Sequence, residues 1–302
     1  MKKRSIYLIL LGIITIAGIC YGTYLHIGKP LLNASGNYFS YNLGSKGNHK
    51  TLKKINVFST AQISLHNADV AFISGDDYSL TYVGKESILP TYKVENGVLT
   101  VKDPATGKKP SGVLKVTIPD SLTELNEINV AAYTGDTCFG TKQKLAVNTI
   151  SINSQDGDIV FGADKDLNVD TLTLNSKNGD IVFKSSDSMT ADTATLYTEN
   201  GDMTVSGADF NDSKMTSKSG DIIASNVSFK KSEVTSTNGD IRISTSDDLS
   251  SYTFNLNGGN GDISIGDGLY KGTLSYGSDI TVGKGSNVMI LSTKNGDVTV
   301  KK

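Results

Sequence analysis

Several scarcities narrow the chain before any motif is sought. Two cysteines in 302 residues cannot build a disulfide scaffold or a paired-cysteine zinc site, and three histidines cannot supply the missing ligands. There is no tryptophan and aromatic residues make up 7% of the chain, which argues against the stacking platforms often used for single-stranded nucleic acid or sugar rings. A net charge of -2 gives no electrostatic reason to meet DNA. Proline (5) and glycine (31) together fall well short of low-complexity chains, and 37% hydrophobic residues are spread along the whole length, so a folded core is expected.

What is present is placed asymmetrically. Lys2, Lys3 and Arg4 precede residues 6–27, 22 residues without Asp, Glu, Lys or Arg. As a helix they would span about 33 Å, enough for a bilayer's hydrocarbon core. The positive-inside rule then puts the N-terminus in the cytoplasm and everything after residue 30 outside the cell membrane. Beyond Lys29 there are 25 cations against 31 anions, so the exported part is acidic. A secretory signal usually has a shorter apolar centre, of about 7–15 residues, and Gly18 with Cys20 is a poor cleavage site. Ile19 before Cys20 does not suit lipidation, and no Leu-Pro-x-Thr-Gly sorting motif closes the chain. The expectation is a single-pass anchor and cytoplasmic start over 1–28, a Gly/Asn/Ser-rich linker over 29–50, and a folded domain over 51–302. Tyr38, Phe39 and Tyr41 interrupt the linker, either covering the first turn of that domain or lying at the membrane interface.

A repeat organises the rest. Gly-Asp pairs recur at Gly135-Asp136, Gly157-Asp158, Gly179-Asp180, Gly201-Asp202, Gly220-Asp221, Gly239-Asp240, Gly261-Asp262 and Gly296-Asp297, at spacings of 22, 22, 22, 19, 19, 22 and 35 residues. Gly277-Ser278-Asp279 lies inside the longest gap and reads as an irregular copy. Asn usually precedes the Gly, and a hydroxyl residue stands four before the Asp: Ser154, Ser176, Thr198, Ser217, Ser236 and Thr293.

Each corner is followed by period-two alternation, such as Ile159/Phe161, Ile181/Phe183 and Ile241/Ile243, and preceded by inward residues such as Ile150/Ile152, Leu172/Leu174 and Ala194/Leu196. No sustained helical period appears, so the body is all-β. Asn-Gly between strands can close a hairpin, giving an antiparallel meander, or turn the corner of a coil. The near-constant period favours the coil, a single-stack, β-helix-like β-solenoid in which like residues stack on like. The three-residue difference between 22- and 19-residue periods would be absorbed in the loops around Lys184 to Ala191. Residues 51–120 show the same alternation less regularly, with Gly75-Asp76 as an early corner and Asn96-Gly97 as a turn, as expected of atypical terminal coils.

These features, with Val94-Glu95-Asn96-Gly97-Val98-Leu99 upstream and Ile118-Pro119-Asp120 closing a strand before the repeats, resemble the "putative-adhesin" domain family of membrane-anchored Gram-positive surface proteins over roughly residues 50–302. The resemblance implies a β-solenoid ectodomain, display at the cell surface and, for some members, a link to envelope stress responses. It brings no catalytic site to these positions.

A search for chemistry is equally sparse. His26 lies in the apolar segment, His49 and His66 lie near the first strands, and there is no Gly-x-Ser-x-Gly elbow. Cys138 has no nearby His base and reads as a small core residue. Residues 277–285 approach a phosphate loop but have the wrong spacing and Gly285 in place of its Ser or Thr. The repeat corners Gly157, Asp158, Gly179, Asp180, Gly201, Asp202, Gly220, Asp221, Gly239, Asp240, Gly261, Asp262, Gly296 and Asp297 are the candidate site residues, and they read as structural. Calcium β-rolls use a nine-residue period, and a glycoside hydrolase needs one localised acid/base pair rather than a carboxylate on every coil. Gly is expected to supply a positive φ and Asp to accept backbone amides. The function expected is non-catalytic presentation of a surface, for adhesion or envelope binding, without cofactor or catalytic or metal residues. The partner is an envelope or host-surface ligand, a membrane protein among the candidates. An envelope-stress regulator and a carbohydrate-active β-helix are the alternatives.

Overall fold

The computed structural model describes residues 49–66, 68–86, 89–103, 112–266, 268–275 and 277–302. Among them no helix is long and apolar enough to cross a membrane; residues 6–27, expected to form the anchor, and most of the expected linker lie outside the described residues. The described chain is one all-β, solenoid-like unit.

It opens with β1 (His49–Lys54), β2 (Thr60–Leu65), β3 (Asp69–Gly75), β4 (Ser79–Gly84), β5 (Thr91–Glu95), β6 (Val98–Lys102), β7 (Gly112–Pro119), β8 (Glu124–Thr134) and β9 (Thr137–Thr141). The regular repeats follow as β10 (Leu145–Asp156), β11 (Ile159–Ala163), β12 (Leu167–Asn178), β13 (Ile181–Ser185), β14 (Met189–Asn200), β15 (Met203–Ser219), β16 (Ile222–Asn238) and β17 (Ile241–Thr245). A 3-10 turn at Leu249–Ser251 leads to β18 (Tyr252–Asn257), β19 (Asp262–Ile265), β20 (Tyr270–Thr273), β21 (Asp279–Gly283), β22 (Asn287–Asn295) and β23 (Val298–Lys301).

In the 22-residue coils a long strand runs into the Gly-Asp corner and a short strand leaves it; in the 19-residue coils the two segments merge into the single strands β15 and β16. Both stack in parallel on the coil before, shifted by one whole repeat: Ile150 opposes Leu172, Leu172 opposes Ala194, and Phe161 opposes Phe183. The corners therefore turn a coil. Among the Asn-Gly pairs of the described residues only Asn96-Gly97 closes a hairpin, between antiparallel β5 and β6, with φ of +51° and +75° at the two residues.

Core filling follows from this stacking. Phe72, Phe139, Phe161 and Phe183 form one file through the short strands, with neighbouring ring centroids 4.8–6.1 Å apart. The next short-strand positions are Val205, Ala224 and Ile243, and the lost volume returns from the long-strand side, where Phe210 and Phe229 replace Ala191. This exchange coincides with the change of period. In the 22-residue coil, five residues from Ser185 to Met189 lie between Lys184 and Thr190; in the next coil Gly207 and Ala208 alone join the equivalent Ser206 and Asp209. Gly207 makes the tight corner at φ +73°, and a Cβ there would meet the Ser185 carbonyl oxygen at 2.5 Å.

Both ends of the stack depart from chain order. At one end β2 lies between β6 and β8, and β3 between β7 and β9. At the other, β22 lies between β16 and β18, and β23 between β17 and β19. Antiparallel strands then cover the outermost coils: β5 on β6, β4 on β7, β21 on β18 and β20 on β19. They pair the backbone groups that a parallel stack leaves open at its ends. Two expectations are corrected as a result. Gly75 ends β3 and accepts the Asp120 amide through its carbonyl at 2.7 Å, so Gly75-Asp76 is no corner. Gly277-Ser278-Asp279 leads into antiparallel β21 and forms no coil.

Candidate functional site

The corners form one continuous ladder along an edge of the solenoid. The Asp136 amide donates to Asp69 Oδ1, Asp158 to Asp136, Asp180 to Asp158, Asp202 to Asp180, Asp221 to Asp202 and Asp240 to Asp221, all at 2.8–2.9 Å. The ladder continues through Asp297 on Asp240 and ends with Asp262 on Asp297, both at 2.8 Å, following spatial rather than chain order. Asp69 had no Gly before it to announce it. Its signal is the spacing Asp-x-x-Phe, shared by Asp69/Phe72, Asp136/Phe139, Asp158/Phe161 and Asp180/Phe183.

The glycines serve close approach. A Cβ at Gly157, Gly179, Gly201, Gly220, Gly239, Gly296 or Gly261 would lie 2.0–2.3 Å from the carbonyl oxygen of the glycine in the adjacent coil. A φ in the positive range occurs at Gly179, Gly220, Gly239 and Gly296 but not at Gly157, Gly201 or Gly261. Steric contact with the next coil, rather than positive φ, is thus the requirement common to all seven. Five of the six hydroxyls four before the Asp complete the corner, whereas that of Ser154 is buried without a partner among the described residues. Ser176, Thr198, Ser217, Ser236 and Thr293 donate to glycine carbonyls of adjacent coils at 2.9–3.2 Å. Outside them an amide ladder joins Asn200 to Asn178 and Asn260 to Asn295 to Asn238 at 2.8–2.9 Å.

One oxygen of each laddered carboxylate up the stack from Asp69 to Asp297 is thus held by a backbone amide. Arg242 also bridges Asp221 and Asp240. Among the described residues no group of three Asp, Glu, His or Cys side chains is placed to hold a metal ion. Burial raises the Asp180 carboxyl above the ordinary range, opposed by the Asp202 amide and reinforced by Asp158 and Asp202. Burial has a larger effect at Asp69, whose pKa is pushed up to about 6 against the lowering effect of the Asp136 amide.

A pH dependence follows. Between about pH 4 and pH 6 the folded chain keeps a proton on Asp69 that the unfolded chain has released, so this group's contribution to stability falls as pH rises through that window and stays low above it. Asp69→Asn keeps an oxygen for the Asp136 amide and removes the buried charge. The variant should be more stable than the parent by about 1–3 kcal/mol at pH 7.5 and equal to it near pH 4. Urea titrations at the two pH values test this, and a difference independent of pH would overturn it.

The remaining candidates are scattered. Cys138 is buried in β9, where burial raises its thiol well above the ordinary value, the opposite of an activated thiolate. His66 sits at the end of β2 with its Nδ1 3.1 Å from the buried Asp103, which also accepts the His66 amide, and its ring stacks on Tyr133 at 5.7 Å. Sequence reasoning passed over this pair because its partners are 37 residues apart. Lys284, from the loop weighed as a phosphate site, follows β21, and Gly285 packs against Ser251 and Tyr252.

The long strands also present an outer face. Stacking in register builds one file from Gln62, Asn129, Ser151, Thr173 and Thr195. Beside it runs a second, Ser64, Ala131, Asn153, Asn175 and Tyr197. No charge interrupts either file over these five strands. In the next two strands the first file continues as the ion-paired Lys214 and Glu233, 2.8 Å apart, and the second as Thr216 and Thr235.

The fold is similar to the crystal structure of a "putative adhesin" from Bacteroides fragilis, with a TM-score of 0.50 and 17% identity over 85% of this chain and 97% of that one. A "putative adhesin" from Parabacteroides merdae (TM-score 0.49, 13% identity, 85% and 97% covered) and a "putative lipid binding protein" from Parabacteroides distasonis (0.48, 14%, 85% and 98%) were also matched. At such identities the likeness to the first shows a shared fold alone. No curated protein matches the chain. The family model described as Toastrack DUF4097 matches residues 58–301, nearly all of the solenoid and its caps, and the chain belongs to that family.

Proposed function

We propose that this protein is a non-catalytic, membrane-anchored surface protein whose solenoid is presented outside the cell for adhesion or envelope binding. The observation that carries this reading is the use of the repeated polar groups: the Asp ladder, the glycine corners and the hydroxyls bond to backbone, leaving broad sheet faces as the functional resource. The basic start and the apolar residues 6–27 support anchoring, and the description of the Bacteroides fragilis relative supports adhesion.

Three measurements test it. The full chain should stay with membranes through carbonate washing and keep its initiator end; a soluble form beginning near Tyr21 would overturn the anchor. Cells displaying the chain should gain binding to isolated envelopes or host surfaces over cells without it, and no gain on any surface would overturn adhesion. Release of reducing ends from polysaccharides by the purified full chain would overturn the non-catalytic reading.

A further inference from the structure

Seven Asn-Gly pairs occur in the chain, beginning at Asn96, Asn178, Asn200, Asn238, Asn257, Asn260 and Asn295. The pair carries an intrinsic reactivity. With no Cβ on the second residue, its backbone nitrogen can approach the side-chain amide carbon of the asparagine and close a cyclic imide. Closure needs a backbone nitrogen not committed to a hydrogen bond, an amide side chain free to turn, and a backbone free to move.

The coil corners remove these freedoms. The Gly179, Gly239 and Gly296 amides donate to the Asn200, Asn295 and Asn260 carbonyls at 2.9–3.0 Å, and the Gly258 amide donates to Ser278 at 2.7 Å. The asparagine amides are tied to adjacent coils as well, Asn178 to Asp156 at 2.6 Å and Asn200 to Asn178 and Asn295 to Asn238 at 2.8 Å. Asn260 stands at the end of the ladder, where no further coil receives the Gly261 amide, but its own amide is tied to Asn295 at 2.9 Å.

Asn96-Gly97 differs on every count. Asn96 is exposed at the tip of the β5–β6 hairpin, with φ +51°. Among the described residues neither its side chain nor the Gly97 amide has a hydrogen-bond partner. The space around Gly97 is open, since a Cβ there would meet only the Ser59 hydroxyl, at 3.7 Å. The Gly97 carbonyl is held by the Ser59 and Thr60 amides at 2.9 and 3.2 Å, which fixes the far side of the turn and leaves the nitrogen before it free.

We propose that Asn96 is a site of spontaneous deamidation, the one Asn-Gly pair that the folded chain leaves reactive. The Gly97 nitrogen gives its proton to solvent base and attacks the Asn96 amide carbon. The new N–C bond forms, the Cγ–Nδ2 bond breaks, and ammonia leaves. Water, the only co-reactant, then opens the imide. Attack at the side-chain carbonyl gives aspartate; attack at the main-chain carbonyl gives isoaspartate, with the backbone running through Cβ. Either product sets a carboxylate next to Glu95, which already pairs with Lys93. Isoaspartate does more, because it lengthens a two-residue turn whose geometry fixes the register of its strands. Among the described strands β5 pairs with β6 alone, so its hold on β6 is lost and that end of the stack becomes an open edge.

The test incubates the full chain in detergent in mildly alkaline buffer and follows all seven sites by peptide mass spectrometry, with isoaspartate resolved from aspartate chromatographically. Asn96 should convert at least about tenfold faster than Asn178, Asn200, Asn238 and Asn295, whose reaction first requires local opening of a coil. In urea all seven should convert at similar rates. Asn96→Gln should melt at the parent's temperature and show no conversion at that position. Conversion at Asn96 no faster than at the corners of the folded chain overturns the proposal, as does the same ranking of sites in the unfolded chain. Hydrogen exchange tests the consequence: β5 amides should exchange faster in the isoaspartate fraction than in the unmodified chain, and equal exchange overturns the opening of that edge.

Discussion

Deleting one complete internal coil should leave a folded protein, whereas deleting the shorter C-terminal segment should not. Removing residues 179–200 rejoins Asn178 to Gly201 and restores an Asn-Gly-Asp corner. Met203 then falls in the file vacated by Ile181, and Met215 in that vacated by Leu196. Each coil contacts mainly its neighbours, so the shortened stack loses one set of interfaces and keeps its ladders. Removing residues 287–302 takes away β22 and β23, which lie inside the stack although they end the chain. It strips the partners of β16 and β17 on one side and of β18 and β19 on the other, and deletes Met289, Leu291, Val298 and Val300, all buried. Thermal melts followed by circular dichroism should show a cooperative transition with a lower midpoint for the first deletion and a lost or much broader transition for the second. The reverse ranking would mean that the stack is not ordered as described.

The second large effect is expected at a single atom's distance. A Cβ on Gly201 would lie 2.2 Å from the Gly179 carbonyl oxygen and 2.6 Å from its carbon, both backbone atoms held by the adjacent coil. Neither can yield without breaking the register of two strands. Gly201→Val should therefore destabilise the protein by about 3 kcal/mol or more, at the upper end of overpacking costs, with Gly201→Ala close behind because the Cβ alone makes the clash. Asp202→Asn should cost under about 1 kcal/mol, since an amide oxygen can still accept the Asp221 amide now held at 2.8 Å. Urea unfolding of the three variants decides. Gly201→Ala as mild as Asp202→Asn would mean that the coils can separate locally at the corner.

Much of this was legible in the residues because a solenoid stacks like on like. A spacing of 22 residues in sequence becomes one strand spacing in space, so the files Ile159/Ile181 and Leu172/Ala194 can be read before any coordinates exist. The three-residue slip was legible for the same reason, since only a loop can lose residues without displacing the files on either side. The Asp ladder was visible wherever Gly preceded Asp and invisible at Asp69, where Ala68 takes the glycine's place. The corner glycines were legible as required, but their reason was not. Positive φ is a property of one residue, whereas the contact between Gly201 and the Gly179 carbonyl belongs to two residues on different coils.

The sequence alone thus determined the all-β class, the period, the inward files and the position of most corners, because each follows from local alternation repeated at a fixed interval. Tertiary structure alone decided the order of the coils at the two ends. The pattern around Gly296-Asp297 fits equally well beside Gly239-Asp240 or beyond Gly261-Asp262, since every coil presents the same edge of backbone groups and similar side-chain files. Where β22 and β23 insert, and likewise β2 and β3, is set by which arrangement also lets the antiparallel strands β4, β5, β20 and β21 close the open ends. That is a property of the whole stack, which no single repeat encodes.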